Sequence, residues 1–323
     1  MRVVEIAGGS GSAESLVLSE RPDPVAGPGQ IRIRVRAAGI NRPDILQRLG
    51  RYPAPPGASD ILGLEVAGEV DQVGPGVDRW SAGDRVCALL GGGGYAEFAV
   101  VDARHALPVP ADMDFVNAAA LPETVCTVFA NVFESGALKA SETLLIHGAT
   151  SGIGVTAIQM ARAAGARVIA TSRGAAKAEA ARHLGADLSL DAAHDDMEAA
   201  IRTFGGADVV LDMVGTDYAA LNQAALNPFG RWVVIATQSG ALAQVDLARM
   251  MMKRVTLTGS TLRARPADDK ARLIAAVEAT AWPWIVSGAV RPPVEATFPL
   301  EQASAAHLRL EAGGHVGKIV LTV

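Results

Sequence analysis

One short stretch limits the possible folds more than any other. Leu144-Leu145-Ile146-His147 is a compact apolar run, and Gly148-Ala149-Thr150-Ser151-Gly152-Ile153-Gly154 is a glycine-rich turn. From Gly152 to Ala164 the spacing becomes helical, with Val155, Ile158 and Ala161 on one face. A buried strand that turns through glycines into a helix opens a βαβ unit. The alternation continues downstream. Arg167–Ala170 reads as a second strand and Ala175–Leu184 as an Ala-rich helix, while Asp208–Leu211, Trp232–Ile235 and Val255–Leu257 read as further strands. Helix-like segments separate most of them, which predicts a doubly wound parallel sheet.

The flanking regions have another texture. In residues 1–110, Ile31-Arg32-Ile33-Arg34-Val35-Arg36 alternates apolar and polar residues, the period of a half-buried strand. Val66–Val73, Arg85–Leu89 and Ala96–Val101 also read as strands, separated by Gly/Pro/Asp turns, and together they predict a β-barrel or a partly open sheet. After the central region come a helix over Ala267–Ala279, a Pro-rich turn, a strand, another helix and a terminal strand, Gly317-Lys318-Ile319-Val320-Leu321. Neither a low-complexity tract nor an internal repeat is present.

Composition excludes several classes. A chain of 323 residues, 50% hydrophobic, is not mostly disordered and has room for two domains. The net charge of −5 argues against nucleic acid as the main partner. No apolar run reads as long enough to span a bilayer, and Met1-Arg2-Val3-Val4-Glu5 lacks the pattern of a signal peptide. The two cysteines, Cys87 and Cys126, make neither a disulfide framework nor a zinc-binding thiolate cluster, so they read as small core hydrophobes. A cytoplasmic location is the simplest expectation.

The glycine turn also carries chemistry. Ala149, Gly152 and Gly154 form a variant of the dinucleotide-binding fingerprint, in which the backbone approaches a pyrophosphate and a helix N-terminus offers free N–H groups. In sites for the unphosphorylated nucleotide an Asp or Glu about 20 residues further on holds the ribose 2′-hydroxyl. Here the second strand ends Ala170-Thr171-Ser172-Arg173-Gly174, without a carboxylate. Ser172, Arg173 and Lys177 suit a 2′-phosphate instead, so the expected cofactor is NADPH. The alternative is that Arg173 and Lys177 are only a solvated helix start, although cations there oppose the helix dipole.

These features, with Gly39-Ile40-Asn41-Arg42-Pro43-Asp44-Ile45-Leu46-Gln47-Arg48-Leu49-Gly50-Arg51-Tyr52-Pro53 and Gly63-Leu64-Glu65-Val66-Ala67-Gly68, resemble the medium-chain dehydrogenase/reductase superfamily. Within it the likeness is to the zinc-independent quinone oxidoreductases, nearest the p53-inducible quinone reductase-like subgroup. Gly74-Pro75-Gly76-Val77, Gly83-Asp84-Arg85-Val86, Gly92-Gly93-Gly94-Tyr95-Ala96-Glu97, Pro122-Glu123-Thr124 and Gly317-Lys318-Ile319-Val320 extend it over essentially the whole chain. The resemblance implies an α/β fold in which a Rossmann domain (123–265) is inserted in a GroES-like β-barrel domain (1–122 and 266–323). It also implies an active site in the cleft between them.

Position by position, it implies that Asn41 lines the nicotinamide and that Thr127 contacts nicotinamide and phosphate. Ser151, Gly152 and Ile153 fall at the pyrophosphate turn, and Ser172 and Lys177 at the 2′-phosphate. Val214, Ala236 and Thr237 lie near the nicotinamide, Leu262 and Arg263 on a loop closing over it, and Lys318 in the final segment. Two departures stand out. Asp191-Ala192 replaces the Asn-Tyr pair that many relatives place near the adenine, and Leu46 stands where some bacterial relatives have Tyr.

No metal is expected. Zinc-dependent relatives need a cysteine where this chain has Ala37-Ala38-Gly39-Ile40, a Gly-His-Glu where it has Gly63-Leu64-Glu65, and a four-cysteine lobe where residues 87–105 hold one cysteine. The six histidines (His105, His147, His183, His194, His307, His315) include no pair at helical ligand spacing. The expected substrate is a small-molecule quinone or enone. A quinone takes its protons from water, whereas an enone or enoyl thioester needs its enolate stabilised or protonated. Tyr52 matches the N-x-x-D…G-x-Y pattern of related enoyl reductases and, with Asn41, is a catalytic candidate. Preceding Pro53-Ala54-Pro55-Pro56, it equally reads as a loop-packing residue.

Asp44 reads as a loop or helix-cap residue and Glu65 as a buried structural carboxylate. Arg42, Arg48 and Arg51 read as a solvated face, and Met250-Met251-Met252 as adaptable apolar surface or core. The resemblance implies a homodimer or homotetramer. The alternatives are an enoyl-thioester reductase with Tyr52 as proton donor and, from another class, an NADPH-binding sensor or structural protein.

Overall fold

The computed structural model describes all 323 residues, Met1–Val323. The chain divides into two compact units. One comprises Met1–Cys126, Leu262–Pro283 and Pro292–Val323; the other comprises Thr127–Thr261 and Trp284–Arg291.

The second unit is built on six parallel strands. In spatial order they are Leu188–Asp191, Arg167–Ser172, Thr143–His147, Ala207–Asp212, Leu226–Val234 and Thr256–Gly259. In chain order this is the 3-2-1-4-5-6 arrangement of a Rossmann fold, so the ligand-binding edge lies at the carboxyl ends of the strands, around Thr143–His147. Leu144, Leu145 and Ile146 are fully buried, as strands of a parallel sheet covered on both faces must be. The Gly152–Ala163 helix buries Val155, Ile158 and Ala161, the face its spacing predicts.

The Leu226–Val234 strand is longer than the sequence reading of Trp232–Ile235. Its ladder jumps from Leu226 to Arg231, and Phe229 adopts a φ of 62°. Asn227-Pro228-Phe229-Gly230 therefore bulges within a strand while resembling a turn. The Met250-Met251-Met252 run lies in the exposed Leu247–Lys253 helix, with Met251 and Met252 largely solvent-facing. It is surface and not core.

The first unit holds a seven-stranded sheet. Its strand order is Val294–Pro299, Lys318–Thr322, Gln30–Gly39, Glu65–Val73, Arg85–Leu89 and Ala106–Pro108, with Phe98–Asp102 also paired to Gln30–Gly39. The ten-residue Gln30–Gly39 strand organises this sheet: Gln30–Arg34 pairs with Phe98–Asp102, and Ala37–Gly39 pairs with Lys318–Thr322. That sharing explains the sequence pattern. Ile31, Ile33 and Val35 enter the core while Arg32 and Arg34 lie over the Phe98 ring and bind Asp71. The segment read as Ala96–Val101 is a strand only from Phe98 to Asp102, because Tyr95 and Ala96 turn inward and are buried. A separate hairpin pairs Arg2–Ile6 with Leu16–Glu20.

The helical segments between Phe115 and Ser135 are together long and apolar enough, by length and composition, to cross a membrane. They are 78% buried inside the protein, the condition of a core helix. The last of them, Phe129–Ser135, is π-helical.

Candidate active site

In the Rossmann unit the glycine turn is held from within. Ser151 caps the Gly152–Ala163 helix: its Oγ accepts the Gly154 N–H at 3.1 Å and donates to the Gly148 carbonyl at 2.8 Å. A Cβ on Gly154 would press into the carbonyl oxygens of Gly148 and Ala149, so this position must be glycine for the helix to start so close to the strand. The amides of Gly152 and Ile153 open the helix, where no carbonyl one turn back exists to receive them. They are available to an anion.

At the end of the next strand the Ser172 Oγ is buried with no hydrogen-bond partner. Arg173 is exposed and Lys177 half-buried, and no hydrogen bond or ion pair occupies either side chain. An orphaned hydroxyl followed in the chain by two cations whose side chains make no hydrogen bond or ion pair fits a 2′-phosphate, with the Gly152 and Ile153 amides left for the pyrophosphate. The structure adds a feature absent from the strand-end reading. Asp191, opposite Ser172 in the parallel ladder, accepts the amides of Gly174 (2.8 Å) and Ala193 (3.0 Å). These amides hold its carboxyl below the usual range, and it fixes the loop that carries Arg173.

Val214, Ala236 and Thr237 lie at the carboxyl end of this sheet. Beneath them Asp212 is fully buried and accepts four hydrogen bonds: Oδ1 from the amides of Val214 and Gly215, Oδ2 from Asn222 Nδ2 and Trp232 Nε1. Asn222 in turn meets His147 at 2.7 Å, and His147 meets Thr171 at 2.9 Å. Burial lowers the His147 pKa and keeps the ring neutral. This polar floor ties three strand ends together, and sequence reading registered His147 only as a non-ligand. Asn131, in the π-helical segment, donates to the Thr127 carbonyl at 2.8 Å and accepts from Ser260 at 2.7 Å, fixing the turn that bears Thr127.

In the first unit, residues far apart in sequence converge. Lys318 Nζ donates to Glu65 Oε1 (2.6 Å), Asn41 Oδ1 (2.6 Å) and the Ile40 carbonyl (2.9 Å). An ammonium has three donors, so none remains for a cofactor group. Asn41 Nδ2 donates to Glu65 Oε1 at 2.8 Å, and Glu65 Oε2 accepts the Glu123 amide at 2.9 Å. Asp44 accepts the amides of Asn41 (2.8 Å) and Gly63 (3.2 Å), the loop-ordering role the sequence suggests. Tyr95 continues the chain to His307 at 3.1 Å. Arg48 corrects the sequence reading: it is 1% exposed and grips Glu311 with two hydrogen bonds, so it belongs to no solvated face.

Tyr52 is half-buried, and burial, then the nearby Glu123, raises its phenol pKa. Arg263 lies beside it: Nη1 donates to the Tyr52 carbonyl at 3.3 Å, and the guanidinium carbon sits 5.5 Å from the ring centre. Leu262 is buried next to it. Burial lifts Asp44 to about 6, and burial with the neighbouring Glu65 lifts Glu123 to about 8. Sequence reading missed Glu123, since Pro122-Glu123 looks like an ordinary helix start. No group of three or more His, Cys, Asp or Glu comes together to hold a metal ion.

Glu123 gives a pH test. Its folded pKa of about 8 exceeds the ordinary 4.5, so between these values the folded state keeps a proton that the unfolded chain releases. Stability therefore declines as pH rises through this window. Glu123→Gln cannot ionise. By denaturant titration it is expected to match the parent at pH 5 and to exceed it by about 2–4 kcal/mol at pH 9. Parallel curves for the two proteins would count against the buried neutral acid.

The family of the chain follows from its relatives. Residues 152–279 match the model of zinc-binding dehydrogenases, and residues 27–111 match the alcohol dehydrogenase GroES-like domain. A quinone oxidoreductase of Pseudomonas aeruginosa is 33% identical over 304 residues, covering 91% of each chain. The chain belongs to the medium-chain dehydrogenase/reductase superfamily. As a medium-chain dehydrogenase/reductase it combines a GroES-like domain with a Rossmann domain.

The Escherichia coli quinone oxidoreductase complexed with NADPH has a similar structure, with a TM-score of 0.88 and 29% identity over the whole of both chains. An NAD-dependent alcohol dehydrogenase is equally similar, with a TM-score of 0.88 and 31% identity over both whole chains. The spectinabilin polyketide synthase protein NorB of Streptomyces orinoci is 36% identical over 328 residues, 98% of this chain. The chain spans only 14% of NorB and 5% of another polyketide synthase it matches.

Proposed function

We propose that this chain is a metal-free, NADPH-dependent reductase of quinones or related conjugated carbonyls. The observation that carries the cofactor assignment is the buried, partnerless Ser172 hydroxyl followed in the chain by Arg173 and Lys177. When bound, the reduced nicotinamide supplies a hydride. The chain's own residues do the rest. Gly152 and Ile153 amides bind the pyrophosphate, and Lys318 and Glu65 hold the Asn41 amide still. Tyr52, with its raised phenol pKa, stays protonated at neutral pH and is the group available to return a proton.

The second reading, an enoyl-thioester reductase, draws support from the polyketide synthase relatives and from that same Tyr52. The deciding experiment follows NADPH oxidation by the purified protein with benzoquinones, naphthoquinones, simple enones and a crotonyl thioester. Quinones are expected to give a kcat/KM at least about 10-fold above the thioester. The reverse order would favour the thioester reading, and no oxidation with any acceptor would sink both.

A further inference from the structure

Arg263 is 4% exposed. Its Nε donates to the Gly91 carbonyl at 2.8 Å and its Nη1 to the Tyr52 carbonyl at 3.3 Å. Its Nη2 is buried and has no partner at all. Both protein partners are neutral carbonyl oxygens and neither is a carboxylate. The acidic groups that feel its charge are Asp44, Tyr52 and Glu123. At neutral pH the Tyr52 phenol is uncharged and Glu123, near 8, is mostly so, while Asp44, near 6, is mostly ionised but makes no hydrogen bond or ion pair with the guanidinium.

An arginine cannot shed its proton to escape burial. A buried charged donor left unpaired costs the full desolvation of that group. Such a donor is kept where a ligand completes it. We propose that Arg263 Nη2 binds the oxygen of the acceptor, the atom on which negative charge gathers as a conjugated carbonyl is reduced. The proposal rests on the reductase reading above and assigns Arg263 a part beyond closing over a nicotinamide.

The hydride forms a C–H bond at the β-carbon of the acceptor, and the nicotinamide is oxidised. The C=C pair moves to a new double bond beside the carbonyl carbon, and the C=O pair moves onto oxygen. The Nη2–H donates to that oxyanion, and Tyr52 or water later supplies the proton that makes the neutral product. A fixed donor aimed at developing charge in a water-poor site acts without reorganising. A nucleotide phosphate has its own donors in the Rossmann unit, at Gly152, Ile153, Arg173 and Lys177. The Tyr52 ring, on the irregular segment 51–60, has its centre 5.5 Å from the guanidinium carbon.

The test uses the whole protein and Arg263→Met. First, 4-nitrophenol is titrated without nucleotide and followed by absorbance, its phenolate oxygen standing in for the oxyanion. The parent is expected to bind the phenolate and lower its apparent pKa, and Arg263→Met to bind it at least about 10-fold more weakly. Second, kcat with the best acceptor is expected to fall about 100-fold while the Kd for NADPH stays within about threefold.

Unchanged phenolate binding would overturn the proposal, and so would a loss of NADPH affinity matching the loss of rate. Arg263→Lys covers a folding failure: it keeps the charge and loses the fork, so an intermediate phenolate affinity is expected, and parent-like behaviour in both measurements would refute a role for the fork. If the parent reduces no acceptor, the reductase reading fails. The phenolate titration then still reports whether Arg263 binds an oxyanion.

Discussion

Lys318→Met is expected to cost about 3–5 kcal/mol of stability, because it strips one partner from a buried ion pair. The Lys318 side chain is 3% exposed and that of Glu65 is 0%. Without the ammonium, Glu65 must either keep an uncompensated charge or take up a proton. The Asn41 Oδ1 and the Ile40 carbonyl lose their donor at the same time. Lys318→Arg is no remedy, since the three acceptors are arranged around a compact ammonium and not around a planar fork.

Denaturant unfolding measures the cost, and a second substitution diagnoses its origin. Glu65→Gln removes the stranded charge while keeping an amide oxygen, so Lys318→Met/Glu65→Gln should recover about half of the loss. A loss below about 1 kcal/mol for Lys318→Met would mean that the pair is solvated in solution. NADPH binding is expected to weaken little in comparison, because every donor of Lys318 is already spent inside its own unit.

Arg173→Ala/Lys177→Ala is expected to raise the Kd for NADPH about 100-fold and to change the Kd for NADH less than about threefold. A hydrogen bond from a cation to a phosphate contributes about 1.5–3 kcal/mol, and exposure of Arg173 places the pair at the low end of that range. Screening makes a second prediction of the same origin: the preference of the parent for NADPH should shrink between low and high salt, and the double variant should show no such trend. Nicotinamide fluorescence follows both nucleotides. The NADPH assignment falls if NADH binds the parent as well as NADPH. The roles of Arg173 and Lys177 fall if the double variant keeps the preference, because another group would then read the 2′-phosphate.

Much of this was legible beforehand because it is local. The strand–glycine–helix passage from Leu144 to Ala163 depends on neighbours a few residues apart, and the structure reproduces it almost to the residue. Ser172, Arg173 and Lys177 lie within six consecutive residues, so the proposal of their joint use could be read from their order. The Leu226–Val234 strand was shortened in the reading because Asn227-Pro228 carries turn chemistry, and only the partner strands override it. Arg48 was misplaced for a similar reason. A run of arginines looks solvated until Glu311, from the other end of the chain, arrives to pair with it.

The sequence alone determined the alternation of elements and the glycine turn. These follow from periodicity, backbone freedom and residue charge over short spans. Tertiary structure alone decided the environment of each polar side chain. Asn41, Glu65, Glu123 and Lys318 come from four separate segments, and only the folded sheet brings them within hydrogen-bond reach. The same holds for the raised acids Asp44 and Glu123 and for the unpaired nitrogen of Arg263. Desolvation and pairing depend on what surrounds an atom in space, and no local pattern encodes that.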